Sequence, residues 1–317
     1  MHPKISVLIP CFNAVAWIEE AIQSALRQNY PNVEVVVVDD GSTDGSSEVI
    51  RSFGAAIVSV AQPNSGVCSA LNHATRLSTG SLLQVLGADD VLHPDRFSIL
   101  AGAFQAHPAA EMVASSYRSI GADESRAYSA LAFPQASPML VADPLTINYL
   151  PTMALARRDF IQQVGSWNEA LSRWVDFEYH ARIAAAITRP IPFVDLPLYG
   201  YRQHSGPRIS SQNKAQTNLE AALRSLEKAQ AAIGHRHDAV ARRWLHDQTF
   251  HLARGYAARN DRKFYDLIAS ARANSDKAAF KYKAMAVEFV ARIAGIKTAS
   301  RLMEAVLSNT AAKSKPS

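Results

Sequence analysis

One stretch of the sequence decides the fold: Val35-Val36-Val37-Val38-Asp39-Asp40-Gly41-Ser42-Thr43-Asp44. Four consecutive apolar residues that end in two carboxylates and a Gly-Ser turn predict a buried strand with a polar end. A second acidic pair, Asp89-Asp90, follows another apolar run at residues 82–86. Ligands bind at the carboxyl edge of an open α/β sheet. The two acidic pairs therefore predict a ligand site at that edge.

The clustered carboxylates also predict the chemistry of the ligand. Carboxylates that share a site repel one another unless a cation or a hydrogen-bonding ligand relieves the repulsion. Oxygen ligands are the ones that hard divalent cations prefer. We therefore expect a divalent metal and a polar, phosphorylated substrate at this edge.

Strand and helix patterns alternate on both sides of this stretch. The expected strands are residues 5–10, 33–39, 56–60, 82–86 and, later in the chain, 191–194. The expected helices are 15–27, 43–53, 67–77, 94–107, 157–164 and 176–186, whereas 115–150 has the composition of a loop. Alternation with short connections is typical of a mostly parallel sheet with right-handed crossovers.

Charge is distributed unevenly along the 317 residues. Residues 1–210 hold 14 basic and 19 acidic side chains, whereas residues 211–317 hold 19 basic and 9 acidic ones. From Thr217 onward, apolar residues recur with helical spacing. An acidic body with a basic helical tail predicts two segments with different roles, at 1–211 and 212–317.

Composition excludes some classes of protein. No apolar run approaches the ~18 residues that a membrane-spanning helix requires, and the first five residues are too few and too polar for a signal peptide. Cys11 and Cys68 form neither a Cys-x-x-Cys motif nor a disulfide framework. We therefore expect a cytoplasmic protein in which Cys11 is a small core residue.

Several short motifs, taken in order and at their spacings, resemble one family. They are Ile5-Ser6-Val7-Leu8-Ile9-Pro10-Cys11-Phe12-Asn13, Val38–Asp44, Asn64-x-Gly66 with Ala70-Leu71-Asn72, Gly87-Ala88-Asp89-Asp90, Gly165-x-Trp167-Asn168-Glu169 and Tyr201-Arg202-x-His204. Together they resemble the inverting nucleotide-sugar glycosyltransferases of family 2, over about two thirds of the chain. The resemblance implies a GT-A fold, which is an α/β, Rossmann-like, mostly parallel sheet flanked by helices. The basic C-terminal helical extension lies outside it.

The resemblance implies a reaction and a setting. A hexosyl or N-acetylhexosaminyl group would move from a nucleotide-diphosphate donor, with a UDP-sugar expected, to a hydroxyl of a glycan or lipid-linked acceptor. Family membership suggests assembly of bacterial surface polysaccharide or glycolipid. The processive synthase branch is not expected, because Val240 stands where Gln would precede Arg243-Trp244 in a Gln-x-x-Arg-Trp motif.

Donor-binding positions are assigned by the resemblance and by the strand ends. Asp39 would accept hydrogen bonds from the base or ribose, and Asp40 would bond either nearby backbone or the nucleotide. Arg202 offers a bidentate phosphate contact. The full set of donor-binding residues is Pro10, Asn13, Asp39, Asp40, Asn72 and Arg202.

The expected metal is Mg²⁺ or Mn²⁺, bridging the diphosphate. Asp89 matches the family's acidic metal motif, with Asp90 as a second ligand or as its support, and His204 contacts metal or phosphate. Gly87 stands where that motif commonly has its first Asp. A ribose contact from that position must therefore be lost or come from a neighbour.

The expected general base is Asp176. In the family, a carboxylate at this place opens a helix and deprotonates the acceptor hydroxyl. The usual acidic pair reads Val175-Asp176 here, so only Asp176 matches, and Glu178 is the rival. Capping of the helix is a structural alternative for the same side chain.

Two further alternatives concern the whole chain. A non-catalytic nucleotide-sugar or glycan-binding module would share the donor residues, but it would need no base. The tail would either hold the protein at an anionic membrane surface or pack on protein; no nucleic-acid motif is present. The membrane-facing residues would be Lys277, Phe280, Lys281, Lys283, Val287, Val290, Arg292, Ile293, Lys297, Arg301 and Leu302.

Overall fold

The computed structural model of the chain describes residues 2–133, 136–147, 150–204, 216–236, 238–275, 278–296 and 298–299. It divides into two compact units, Met1–Arg208 and Ile209–Ser317. The different roles expected for residues 1–211 and 212–317 stay a prediction.

The strands of the described residues form one mixed sheet in the first unit. They are β1 Ile5–Cys11, β2 Val33–Asp39, β3 Val58–Ala61, β4 Leu82–Val85, β5 Val91–Leu92, β6 Met112–Ile120, β7 Met139–Val141, β8 Ala154–Arg157 and β9 Ile191–Arg202. Their order is β3-β2-β1-β4-β8-β6-β9-β5, and β7 also pairs with β9. This arrangement confirms the α/β class.

Strand directions bring the strand ends together. β1 is parallel to β2 and β4, and β2 is parallel to β3. β8 is antiparallel to both β4 and β6, and β6 is parallel to β9. It follows that β1, β2, β4, β6 and β9 all end at the same edge, which we call the carboxyl edge.

Helices lie between the strands and make up the second unit. In the first unit they are α1 Ile18–Leu26, α2 Ser46–Ser52, α3 Val67–Leu77, α4 Arg96–Ala106, α5 Ser125–Ser129, α6 Leu150–Met153, α7 Arg158–Val164 and α8 Val175–Ala186. In the second unit they are α9 Gln216–Ile233, α10 Ala239–Ala258, α11 Lys263–Asn274 and α12 Ala278–Ala294. Short turns of 3₁₀ helix occupy Gly54–Ala56 and Pro144–Thr146.

The core explains the uninterrupted valine run of β2. Val35 and Val37 belong to a hydrophobic cluster with Ile18 and Ile22 of α1. Val36 and Val38 belong to a second cluster on the other side of the sheet, with residues of α3, α7 and α8. Successive side chains of a strand point to opposite faces. Both faces of β2 are therefore buried, as in parallel sheets generally.

The expectation that residues 115–150 form a loop is wrong. β6 continues to Ile120, and α5 and β7 follow. The sequence did not predict this strand because its middle is polar. Ser115 and Ser116 lie where its pairing with β9 shifts register. Ser115 is nevertheless buried, and its hydroxyl accepts a hydrogen bond from Arg96 at 2.7 Å.

Two other boundaries differ from the sequence expectation. β9 extends over twelve residues and includes Arg202, so Tyr201-Arg202 lies in a strand rather than after one. α2 begins at Ser46 after Gly45, whose φ is 96°. The helix therefore begins three residues later than position 43, where it was expected to begin.

The second unit is built from consecutive helices with small residues on their buried faces. Asp238 caps α10, because its carboxylate accepts from the Ala241 N–H at 2.9 Å. Among the helices that the structure describes, none is long and apolar enough to cross a membrane.

The surface of α12 corrects the expected membrane-facing set. Val287 is buried, at 3% exposure, whereas Met285, Phe289 and Ile293 are 50%, 64% and 70% exposed. Lys277, Lys297, Arg301 and Leu302, and the side chains of Phe280 and Lys283, lie outside the described residues. The exposed apolar stripe of α12 is thus Met285, Phe289 and Ile293.

Candidate functional site

The ends of β1 and β2 are joined by hydrogen bonds around Asn13. Its backbone N–H donates to Ser42 Oγ at 3.0 Å, and its side-chain Oδ1 accepts from the Thr43 N–H at 2.8 Å. Asn13 has a φ of 51°, a left-handed conformation that Asn adopts more readily than most residues. Asp39 is buried, and its carboxylate accepts from the Ser42 N–H at 3.0 Å and from the Ser47 hydroxyl.

Pro10 lies in the same layer as these residues. It pairs with Val38 in the β1–β2 register, one position before Cys11 pairs with Asp39. Cys11 is buried, and burial is the main reason that the pKa of its thiol rises to about 12. The expectation that Cys11 is a small core residue is confirmed.

Asp40 holds the next loop. Its Oδ1 accepts from Gln62 Nε2 and from the Ser65 N–H, each at 2.8 Å, and its Oδ2 accepts from the Gly66 N–H at 2.8 Å. The side chain is buried. Of the two roles expected for Asp40, this geometry supports the bonding of nearby backbone.

Asn72 plays a similar part beneath the Gly165–Glu169 motif. Its Oδ1 accepts from the Trp167 N–H at 2.8 Å, and its Nδ2 donates to the Trp167 carbonyl at 2.9 Å and to Glu169 Oε1 at 2.7 Å. Trp167 is buried and stacks on Tyr179, with ring centroids 3.9 Å apart. Asn72 therefore fixes this motif, and donor binding by Asn72 stays a prediction.

Asp89 and His204 meet at the carboxyl edge. Asp89 Oδ2 lies 3.2 Å from His204 Nε2, although 115 residues separate them in the sequence. The Asp89 side chain is 31% exposed and the His204 side chain 5%. The structure thus brings together a carboxylate that solvent reaches and an imidazole that the protein encloses.

This pair fits a divalent cation. Octahedral Mg²⁺ keeps its ligands about 2.0–2.1 Å away, so neighbouring ligand atoms lie about 3 Å apart. Carboxylate oxygen and imidazole nitrogen are both ordinary ligands of Mn²⁺ and related metals. Within the described residues, no group of three or more His, Cys, Asp and Glu side chains gathers at one point.

Asp90 faces inward beside this pair. Its Oδ2 accepts from the Tyr199 hydroxyl at 2.8 Å, and its Oδ1 accepts from the Arg202 N–H at 2.9 Å. The Tyr199 oxygen in turn accepts from the Gly87 N–H at 3.1 Å. Complete burial, with Asp90 nearby, raises the pKa of Tyr199 far above its ordinary value, so the hydroxyl stays a donor. This geometry favours the supporting role for Asp90.

Arg202 is fully buried under the Asp89 loop. Its Nε donates to the Asp89 carbonyl at 2.8 Å, Nη2 donates to Glu20 Oε2 at 2.6 Å, and Nη1 donates to the Ala122 carbonyl. These bonds count against the expected bidentate phosphate contact, which stays a prediction. They make Arg202 a support for the main chain at Asp89.

Asp176 is the second residue of α8. The residue is exposed to solvent, yet desolvation by the surrounding protein raises the pKa of its carboxyl, against a lowering by the N–H groups of Phe177 and of Asp176 itself. Trp174, the residue immediately before α8, has a φ of 51°, a strained conformation for a bulky residue. Such strain is common at functional sites.

The rival base is engaged elsewhere. Glu178 is buried, and both of its oxygens accept from Arg182, at 2.9 and 3.0 Å. A buried, bidentate ion pair leaves little freedom to take a proton from a substrate. The contrast with Asp176 supports the sequence preference for Asp176.

The topology indicates where α8 lies relative to Asp89 and His204. α8 ends at Ala186 and β9 begins at Ile191, so the helix and the strand run in opposite directions after a short turn. The beginning of α8 then lies toward the carboxyl edge, where β9 ends. No hydrogen bond in the described residues joins Asp176 to Asp89 or His204.

Three residues of this region escaped the sequence analysis. Trp17 lies within the range 15–27 that was expected to be a helix, and its ring centroid lies 5.1 Å from that of His204. Glu20 and Tyr199 hold Arg202 and Asp90. No spacing rule links residues so far apart, and the Tyr199-Gly200-Tyr201-Arg202 run was the only signal available.

Comparison with known proteins identifies the family. The sequence profile described as Glycosyl transferase family 2 matches residues 6–165. That span includes the candidate residues from Pro10 to Asp90 and ends before Asp176, Arg202 and His204.

Curated relatives are named as glycosyltransferases or as polysaccharide synthases. An uncharacterized glycosyltransferase of Rickettsia felis is 30% identical over 226 residues, which cover 67% of this chain and 36% of the relative. The chondroitin synthase of Escherichia coli is 26% identical over 185 residues, 57% of this chain and 26% of that protein. The matched part of the chain thus spans between about a quarter and about a third of the length of these relatives.

Solved structures share the fold. S. aureus TarS 1–349 in complex with UDP-GlcNAc superposes with a TM-score of 0.68 at 17% identity, covering 96% of this chain and 92% of that one. At this identity the likeness shows the fold alone, and it confirms the GT-A fold expected from the sequence. The profile match over half of the chain gives the wider conclusion: this chain belongs to glycosyl transferase family 2.

Proposed function

We propose that this chain transfers a sugar from a nucleotide-diphosphate donor to an acceptor hydroxyl, with inversion at the anomeric carbon. The observation that carries the proposal is the meeting of Asp89 and His204, 3.2 Å apart at the carboxyl edge. Asp89 follows β4, which pairs with β1, so the two residues lie at the same sheet edge as the hydrogen-bonded loops at the ends of β1 and β2. An anionic, phosphorylated ligand next to a carboxylate needs a cation between them, and this pair offers the ligands for one.

Asp176 is the proposed general base. In a single displacement, the acceptor oxygen forms a bond to the anomeric carbon while the bond from that carbon to the diphosphate breaks. Asp176 takes the proton of the acceptor hydroxyl, and the diphosphate leaves with the electron pair of the broken bond. The exposed position of the residue and the pKa of its carboxyl, which desolvation raises, support this role, because a base needs both access and basicity.

Asp89 and His204 would hold the Mg²⁺ or Mn²⁺, which when bound would neutralise the charge that develops on the diphosphate. Asp90, Tyr199 and Arg202 orient this pair through the contacts described above. Asn13 and Asp39 order the loops at the ends of β1 and β2, where the base and ribose would bind.

A UDP-sugar is the proposed donor, carrying a hexose or N-acetylhexosamine. Support comes from TarS, a protein of the same fold that was crystallised with UDP-GlcNAc. The chondroitin synthase relative supports a role in polysaccharide assembly. A non-catalytic binding module would keep the donor site, but it would have no use for a general base at Asp176.

A panel of nucleotide sugars tests the proposal. Wild-type protein is incubated with UDP-, GDP- and dTDP-sugars, with and without Mn²⁺, and released nucleotide is measured. We expect slow release of UDP from one UDP-sugar, only when Mn²⁺ is present. Binding of a donor without any turnover, even with glycan acceptors added, would favour the binding module.

The helical tail gives a second proposal, contact with an anionic membrane on its cytoplasmic side. The exposed stripe of Met285, Phe289 and Ile293 lies on the helix face opposite the buried Val287 and Ala291. Exposed Lys281 and Arg292 lie at one border of that stripe. Apolar residues beside basic ones are typical of helices that lie in a membrane interface, and a lipid-linked acceptor would give such contact a purpose.

A further inference from the structure

A buried guanidinium ties the end of β9 to the first turn of α1. Arg202 is 0% exposed, and its Nη2 donates to Glu20 Oε2 at 2.6 Å, while the Glu20 side chain is 49% exposed. The same guanidinium donates through Nε to the Asp89 carbonyl at 2.8 Å. Arg202 therefore connects α1 directly to the loop that carries Asp89.

Trp17 extends this connection to His204. The Arg202 Cζ lies 4.7 Å from the centroid of the Trp17 ring, and the His204 ring lies 5.1 Å from it, tilted by 31°. The His204 side chain is only 5% exposed as a result of such packing. Trp17, just before α1, and Glu20, in its first turn, thus contact Arg202, and Trp17 also contacts His204.

A buried guanidinium is stable only when its charge is compensated. Among the residues that the structure describes, Glu20 bonds it through a carboxylate, whereas Asp89 contributes its backbone carbonyl and Asp90 bonds the Arg202 backbone. Asp89 and Asp90 both bond Arg202 already, so without the charge of Glu20 their carboxylates stand next to a buried guanidinium that has lost this partner. Arg202 would then compete with a cation for Asp89.

We propose that Glu20 is a positioning residue for the Asp89–His204 pair. By neutralising Arg202, it keeps the guanidinium away from the Asp89 carboxylate and leaves Asp89 Oδ2 beside His204 Nε2. This inference rests on the proposed function, since it concerns the readiness of that pair to accept a divalent cation. Glu20 itself touches neither substrate nor metal.

Glu20→Gln tests the proposal, because it keeps the shape of the side chain and removes its charge. Glu19→Gln is the matched control, since Glu19 is an exposed neighbour whose carboxylate bonds Gln23 within α1 at 2.9 Å. UDP binding to both full-length variants and to wild type is measured by calorimetry over a range of Mn²⁺ concentrations. Arg202→Ala is avoided as the main test, because removing a buried side chain risks unfolding.

Groups that orient metal ligands typically change metal affinity about 10- to 100-fold when mutated. We therefore expect Glu20→Gln to need about tenfold more Mn²⁺ for half-maximal UDP binding, and Glu19→Gln to match wild type. At saturating Mn²⁺, both should bind UDP equally well, which a general loss of structure would not allow. Equal Mn²⁺ requirements in the two variants would overturn the proposal.

Crystal structures of the variants keep the test independent of the proposed function. In Glu20→Gln, the Arg202 guanidinium should turn toward Asp89 and separate it from His204. If wild type binds UDP with no Mn²⁺ dependence, the metal role fails, and the crystal structures still decide whether Glu20 positions the pair. An unmoved Arg202 in Glu20→Gln would count against positioning.

Discussion

Gly87 shows how one residue limits another in the candidate site. A Cβ at this position would lie 2.7 Å from Asp90 Oδ2 and 3.0 Å from Asp89 Oδ1. Asp90 cannot move aside freely, because Tyr199 and the Arg202 N–H hold its carboxylate. The space where the family commonly has the side chain of an Asp is thus closed in this chain.

We therefore expect Gly87→Asp to damage the site rather than to restore a family motif. The new side chain would break the bonds of Asp90 and shift Asp89, and Mn²⁺-dependent UDP binding should weaken about 10- to 100-fold. Gly102→Ala is the control, since nothing lies within 4 Å of the Cβ that it adds to α4. Tighter Mn²⁺-dependent binding by Gly87→Asp would refute this reading.

Asp176 carries the second prediction at this scale. Asp176→Asn should lower kcat about 10²- to 10⁴-fold, the usual contribution of a general base. UDP binding should remain near that of wild type, because the donor contacts lie on other loops. Asp159→Asn, the same change in the first turn of α7, serves as the control. Activity within a few-fold of wild type would remove Asp176 from the mechanism.

The pH dependence follows from the same carboxyl. Only the deprotonated form accepts a proton, and desolvation raises the pKa of Asp176 above its ordinary value of 3.8. Activity should therefore fall on the acid side at a higher pH than an unperturbed Asp would give. A pH profile of kcat/KM for wild type measures that limb.

At the scale of elements, the sequence predicted the parallel half of the sheet well. Val33–Asp39 was expected and observed with the same bounds, because both faces of β2 are buried and its apolar run is unbroken. α3 was likewise predicted over its full length, from Val67 to Leu77. The local order of apolar and polar residues was sufficient to predict the elements in which burial alone determines that order.

The sequence predicted the other half of the sheet less well, because buried polar side chains interrupt its apolar pattern. Arg96 is fully buried and donates to Gln84, to Ser115 and to the Met153 carbonyl, at 3.0, 2.7 and 2.8 Å. Such long-range polar pairing makes β6 look like a loop in the sequence. The Tyr199–Asp90 bond and the Arg202–Glu20 pair could not be predicted from the sequence, because each joins residues more than a hundred positions apart.

The candidate site was recognised from the sequence only as a set of residue types. Asp89 and His204 were named and do meet. Asp40, Asn72 and Arg202 were also named, but their side chains bond the protein's own loops in the structure. Spacing along the chain could indicate which residues gather at the carboxyl edge, but not which of them face the ligand.

At the scale of the whole molecule, charge and exposure divide the chain into an acidic unit and a basic one. Residues 211–317 have a net charge of +10, against −5 for residues 1–210. The exposed stripe of α12 adds apolar surface to the basic unit. Each basic residue near an anionic lipid surface contributes about 1 kcal/mol to binding. Together these features predict binding to anionic vesicles that weakens as salt is added.

Co-sedimentation with vesicles measures this directly on the full chain. Wild type should pellet with anionic vesicles and not with neutral ones, and Phe289→Ser with Ile293→Ser should reduce pelleting because the apolar contact is lost. The control changes Met139 and Leu140 to Ser, since these are also exposed, at 55% and 57%, but lie on β7 of the first unit. If the α12 variant pellets as wild type does, the stripe does not contact lipid. If wild type instead forms dimers that the α12 substitutions dissociate, a second copy of the chain covers the stripe and the membrane proposal is wrong.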